Sequence, residues 1–205
     1  MSTLYFGVDN SSHPESVHIP LISIEYRTEK DLEVRAFLDD IDAFTHLVFT
    51  SKHGAIALLK HVSVSAIQKK TIISIGKATT KKLTELGLHV DRTAEEETQE
   101  GVLHELNLLD LNGAYIGIPC SSRARKTLAT LLAYRGVRHL IGYLYDTRLV
   151  KDATLPDLNT VQEVIFTSPS TVQAFTSYHT ILPQHLRTTF QGTVTKRCFE
   201  EIYQV

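Results

Sequence analysis

Two hydroxyl pairs occupy equivalent places in this chain. Residues 47–58 read Leu-Val-Phe-Thr-Ser-Lys-His-Gly-Ala-Ile-Ala-Leu, and residues 164–175 read Val-Ile-Phe-Thr-Ser-Pro-Ser-Thr-Val-Gln-Ala-Phe. In each, an apolar run leads through Thr50-Ser51 or Thr167-Ser168 into a helical pattern. Each is followed by Gly-x-x-Thr opening a further helix. Gly76 to Thr79 begins 26 positions after Thr50, and Gly192 to Thr195 begins 25 after Thr167. The chemistry such junctions support is anion binding, because the first turn of a helix carries unpaired N–H groups at the positive end of its dipole. Glycine there lets a ligand come close to the backbone. Taken singly, each Ser or Thr is an ordinary N-cap contributing about 1 kcal/mol. Two copies facing one ligand make an anion site. Lys52, Lys77 and Arg125 are the candidate partners for carboxylates, with Arg123 and Lys196 nearby.

A repeat offset by 117 residues implies two related halves, where a solenoid would show three or more shorter units. Hydrophobic content of 42% and charged content of 21% describe an ordinary globular chain. No apolar stretch approaches a membrane span, and the N-terminus does not read as a signal peptide. Cys120 and Cys198 lie far apart without CxxC or clustered His, so neither a disulfide framework nor a metal site is expected, and the expected compartment is the cytoplasm. The net charge of −2 gives no general attraction to nucleic acid or to an acidic membrane.

Strands are expected at 3–8, 17–24, 47–50, 71–75, 114–118 and 137–145, and again from Val164. Helices are expected after Thr50 through Lys60, over Thr79–Leu86, over the segment of Leu128, Leu131 and Leu132, and over Thr195–Tyr203. Continuous apolar strands alternating with helices mean parallel sheets covered by helices. Polar segments at 25–30 and 144–150 read as linker strands. They divide the chain into a continuous α/β domain at 30–144 and a split domain from 1–26 plus 150–205. A double crossing of this kind creates a ligand cleft between two lobes.

These features together resemble the uroporphyrinogen-III synthase family. The resemblance is carried by Phe-Thr-Ser-Lys-His-Gly-Ala from Phe49, Ser-Ile-Gly-Lys-Ala-Thr from Ser74, and Ile-Pro-Cys-Ser-Ser-Arg-Ala-Arg-Lys-Thr-Leu from Ile118. Leu-Leu-Ala-Tyr-Arg-Gly-Val, Leu-Tyr-Asp-Thr, Val-Ile-Phe-Thr-Ser-Pro-Ser and His18-Ile-Pro-Leu-Ile-Ser-Ile-Glu extend it over almost the whole chain. It implies two α/β lobes joined by a two-stranded β linker. It implies a monomer that uses no cofactor or metal and acts on hydroxymethylbilane, a linear tetrapyrrole with eight carboxylates. The family reaction removes the terminal hydroxyl, inverts ring D through a spiro intermediate and closes uroporphyrinogen III. Through its motifs the resemblance adds Ser121, Ser122 and Ser170 to the substrate-binding set of Thr50, Ser51, Lys52, Gly76, Lys77, Thr79, Arg125, Thr167, Ser168 and Thr195. It makes Tyr145 catalytic: the phenol protonates the departing hydroxyl, then steadies the cationic azafulvene. By strand alternation Tyr143 falls on the same face and serves as its control. The chain departs from the family pattern at Asp9–Ser16, where a full helix is usual, and at Val205, where the family usually continues.

Other readings stay open at this level. A two-lobed binding protein without chemistry would keep the anion site. A flavodoxin-like module would need a flavin loop, and a dinucleotide dehydrogenase would need GxGxxG, which is absent. Ten histidines are scattered, and His53, at an expected helix start, reads as a solvated or capping residue.

Overall fold

The structure, a computed structural model, describes residues 2–10 and 13–204. The chain begins with β1 (Ser2–Tyr5), β2 (Val17–His18), β3 (Ile22–Tyr26) and α1 (Leu32–Asp39). It continues through β4 (His46–Phe49), α2 (Lys52–Leu58), α3 (Val64–Ile67), β5 (Thr71–Ser74), α4 (Lys77–Glu85), β6 (Arg92–Thr93) and α5 (Gln99–Asn107). Then come β7 (Tyr115–Ser121), α6 (Thr127–Tyr134), β8 (Arg138–Leu149), β9 (Val161–Phe166), α7 (Pro169–Thr176), β10 (Arg187–Phe190) and α8 (Thr193–Tyr203). Two units result: Met1–Ile24 with Thr147–Val205, and Glu25–Asp146. The chain passes between them inside β3 and inside β8.

The continuous unit is built on a sheet of strand order β3-β8-β7-β4-β5-β6, with β4 parallel to β5 and β7, and β7 parallel to β8. β7 is buried along its whole length, as a central strand covered on both faces must be. On one face Ile116 and Ile118 pack against Val102, Leu106, Leu128 and Leu132 of α5 and α6. On the other, Gly117 and Gly142 lie so close to Phe44 and Phe37 that a Cβ there would stand 2.9 and 2.5 Å from those rings.

The split unit carries a parallel sheet ordered β10-β9-β1-β2. Its core is aromatic: Phe6, Phe166 and Phe175 meet with ring centroids 5.2–5.4 Å apart, and Phe190 and Phe199 continue the cluster. No helix lies between β1 and β2 among the described residues. The Tyr5 ring is covered instead by the rings of His13, stacked at 4.7 Å, and His18, at 5.9 Å.

Several sequence expectations are corrected. The strand expected at 17–24 is two strands in two sheets, because Pro20 has no N–H to continue a ladder. The polar segment at 25–30 begins inside β3, and β8 extends to Leu149. Polar residues suit an edge strand such as β3, whose burial alternates. β7 occupies Tyr115–Ser121, beyond the expected 114–118, and α4 begins at Lys77 rather than Thr79.

Tyr143 and Tyr145 do not share a face. The β7–β8 register shifts between Cys120 and Ser121, so Tyr143 pairs with Cys120 while Tyr145 pairs with Ser121. The extra residue, Leu144, makes a bulge that turns the strand. Adjacent residues of β7 point to opposite faces, and so do the tyrosines opposite them.

Candidate functional site

Parallel sheets present their ligand sites at the carboxyl ends of the strands. In the continuous unit those ends are Thr50-Ser51 after β4, Ser121-Ser122 at the end of β7, and Tyr145 beside them on β8. Ser51 caps α2: its Oγ accepts the Gly54 N–H at 3.0 Å. The same oxygen lies 2.8 Å from the Tyr145 hydroxyl. Tyr145 is only 6% exposed, and burial pushes its phenol up to about 12, with the Ser51 hydrogen bond pulling the other way.

Two further rings border the phenol. The Tyr26 ring is 6.4 Å and the His53 ring 5.9 Å from that of Tyr145. The Tyr26 hydroxyl lies 3.1 Å from His53 Nδ1, and Lys60 Nζ stands 4.8 Å over the Tyr26 ring. Beyond them Ser122 Oγ donates to Asp146, which Arg27 grips with two hydrogen bonds of 3.0 Å. Ser121 Oγ accepts the Arg123 N–H at 3.2 Å.

The opposite face of the sheet holds a small pocket lined by Thr50, Gln99, Cys120, Arg125 and Tyr143. Gln99 is 6% exposed and braces the rim: its Nε2 donates to the Arg125 carbonyl, and its Oε1 accepts the Leu128 N–H at the start of α6, both at 2.9 Å. Arg125 also faces Glu100 at 3.8 Å. Burial raises the Cys120 thiol to about 12, which leaves it inert as a nucleophile.

The two Gly-x-x-Thr copies are not equivalent. Gly76 has extended backbone, and its missing Cβ makes room for Glu97, whose carboxylate accepts the Lys77 N–H at 3.0 Å. A side chain of the protein therefore holds the donor that the sequence offered to a ligand. Gly192 instead adopts φ +91°, a conformation that favours glycine. Thr79 and Thr195 are 6% and 3% exposed, and Thr195 Oγ1 donates to the Gln191 carbonyl at 2.9 Å.

The second Thr-Ser copy is likewise satisfied from within. Ser168 Oγ accepts the Thr171 N–H, while Thr171 Oγ1 accepts the N–H groups of Thr167 and Ser168, a reciprocal capping box. Ser170 sits half-buried in the first turn of α7. Of the residues singled out from sequence, the structure joins Ser51 to Tyr145, and Thr50 to Arg125 at the pocket. Gly76, Lys77 and Thr79 follow β5, the strand paired with β4 on the side away from β7, and Thr167, Ser168, Ser170 and Thr195 belong to the other unit. Sequence reasoning missed Tyr26, Glu97 and Gln99 and set His53 aside.

Parallel α/β units with hydroxyls and a hydrogen-bonded tyrosine near the strand ends place the chain among the α/β proteins that carry ligand sites, where they have them, at that edge of the sheet. The family model for uroporphyrinogen-III synthase HemD matches residues 13–202. The chain belongs to the uroporphyrinogen-III synthase family. A protein of Methanothermobacter thermautotrophicus, described provisionally as a uroporphyrinogen-III synthase, is 31% identical over 159 residues, 73% of this chain and 62% of that relative. The fold resembles two solved structures, each covering 98% of this chain and 88% of the other. They are a mutant uroporphyrinogen III synthase from Thermus thermophilus, with TM-score 0.68 at 16% identity, and uroporphyrinogen-III synthetase from Helicobacter pylori, with TM-score 0.64 at 19%.

Proposed function

We propose that the chain is a uroporphyrinogen-III synthase, acting on hydroxymethylbilane by loss of the terminal hydroxyl, inversion of ring D and ring closure. The observation that carries this reading beyond family membership is the Tyr145–Ser51 pair at the strand ends. In this reading Ser51 Oγ, which accepts the Gly54 N–H, gives its own proton to the phenol oxygen. The phenol proton is then directed outward, toward an oxygen that develops negative charge as it departs. A phenol held near 12 gives up its proton poorly at neutral pH, so Tyr145 acts by donating a hydrogen bond. Such a bond strengthens as charge develops and contributes about 1.5–3 kcal/mol.

Substrate carboxylates meet helix starts that already hold internal acceptors, Glu97 at α4 and the Thr171 box at α7. They bind by replacing those acceptors and by pairing with Arg125 and Lys77, and no resident metal or cofactor is part of the proposal. The linear substrate also closes spontaneously to the uninverted isomer, so isomer analysis of the product, with and without protein, is decisive. Formation of isomer III requires the enzyme. Tight binding of the bilane with only the uninverted product would make the protein a binding module.

A further inference from the structure

A phenol that works through one hydrogen bond must point the same way at every turnover, yet Tyr145 stands next to a break in its own strand. The β7–β8 register shifts at this place, and a bulge leaves one residue outside the regular ladder. A displacement of about 1 Å at a reacting group can cost about 10²-fold in rate. The backbone that carries the phenol therefore needs support beyond the β7–β8 ladder.

That support comes from the residues that follow the two neighbouring strands, Arg27 after β3 and Ser122 after β7. Each holds β8 twice, once by backbone and once by side chain. The Arg27 N–H donates to the Leu144 carbonyl at 2.9 Å, and the Ser122 N–H donates to the Tyr145 carbonyl at 3.1 Å. Both side chains then meet on the next residue, Asp146. Arg27 Nε and Nη2 donate to its two carboxylate oxygens, each at 3.0 Å, and Ser122 Oγ donates to the oxygen that Nη2 also binds. The remaining guanidinium nitrogen, Nη1, donates to Glu33 of α1 at 2.8 Å. The side chains of Arg27 and Asp146 are only 22% and 17% exposed. A fully exposed ion pair would hold little. A planar fork on a carboxylate fixes distance and angle together, and shelter from water leaves it less screened.

We propose that Arg27, Asp146 and Ser122 are positioning residues for Tyr145. The fork and the serine hydroxyl fix β8 just past its bulge, so that the phenol oxygen stays 2.8 Å from Ser51 Oγ and meets the departing hydroxyl in one orientation. This rests on the synthase reading above. None of the three transfers a proton or forms a covalent bond. Ser122 gives its hydroxyl to the strand and not to the substrate. Geometry matters here more than charge, because lysine, a point charge on a flexible stem, cannot grip both carboxylate oxygens at fixed angles. The role acts only through the phenol, which separates it from a tie that merely stabilises the unit.

The test is a set of double-mutant cycles on kcat and KM for isomer III formation. Asp146→Asn, Arg27→Lys and Ser122→Ala are each made in the wild type and in Tyr145→Phe, with folding checked by circular dichroism. In the wild type, Asp146→Asn and Arg27→Lys should each lower kcat about 10-fold with KM little changed, short of the roughly 10²-fold cost of a full misplacement. Ser122→Ala keeps its N–H and should lower kcat about threefold, the worth of one modest hydrogen bond. In the Tyr145→Phe background the same three changes should cost less than about twofold, since the group they position is already gone. A tie that only stabilises the fold, or a direct contact with substrate, would cost the same in both backgrounds. Such additivity overturns the positioning role and leaves the synthase reading intact. A folded Arg27→Lys variant with wild-type kcat overturns the fork. A Ser122→Ala variant with raised KM and unchanged kcat makes that hydroxyl a substrate ligand and overturns its place here. If Asp146→Asn and Arg27→Lys fail to fold, the Ser122→Ala cycle decides, coupling supporting the role and additivity overturning it. A wild type that forms no isomer III overturns the synthase reading and this role with it.

Discussion

The hydroxyl oxygens of Ser51 and Tyr145 lie 2.8 Å apart, joining a helix cap to a strand 94 residues further along the chain. One oxygen thus ends a helix and orients a phenol at once. Any change at Ser51 therefore acts on the helix and on the phenol together.

Replacing Tyr145 with Phe keeps the ring and removes the hydroxyl. Turnover should fall by about 10- to 100-fold, the worth of a hydrogen bond to developing charge, with a larger share of uninverted product from substrate that escapes. Tyr143→Phe lies on the other face of the sheet, at the pocket with Thr50 and Arg125, removes nothing from the Ser51–Tyr145 pair, and should alter turnover by less than about twofold. Equal losses in the two variants would mean the bulge does not separate them in function.

Gly76→Ala should cost about 1 kcal/mol, because the exposed Glu97 side chain swings away from a Cβ that would stand 2.5 Å from it and gives up the Lys77 N–H at the start of α4. Glu97→Ala alone should cost about 1 kcal/mol by uncapping α4. If the clash is the cause, the double variant should be more stable than the sum of the two losses predicts, a coupling read from urea unfolding. Simple additivity would assign the glycine another purpose.

Gln99→Met preserves volume and leaves the Arg125 carbonyl and the Leu128 N–H without their partner. A loss of about 2–4 kcal/mol is expected, as for two buried polar groups left unpaired. A midpoint of urea denaturation within error of the wild type would show that water reaches both groups.

Alkaline stability should depend on Tyr145. Its phenol ionises near 10 in the unfolded chain and near about 12 when folded. Below pH 10 both states keep the proton and the full stability is present. From 10 to 12 the unfolded chain loses it first, so about 2–3 kcal/mol drains away as pH rises through the folded value. Urea unfolding of Tyr145→Phe should fall less steeply over that window than the wild type, and matching slopes would sink the idea.

The alternating strands and helices were legible because β4, β5 and β7 are buried runs of apolar residues, and because Ser51 and Ser168 carry the signature of caps. The bulge at Leu144 was not, since alternation counts residues on one strand and the register shift belongs to the pair β7–β8. Glu97 lies in an acidic run that reads as a solvated face, yet folding sets it against an amide 20 residues earlier. Tyr26 was hidden in a polar segment because an edge strand need be apolar on one side only. For the same reason His53 looked like a lone surface imidazole: its partner comes from 27 residues earlier.

The split unit's sheet ends on β2, a strand of two residues, with Val17 about half exposed and Pro20 just beyond. A free sheet edge is a template on which another chain can add a strand and begin a fibril. Here that template is two residues long and is followed by a residue with no N–H to give. The brevity that denies this sheet a wide edge also guards it against aggregation.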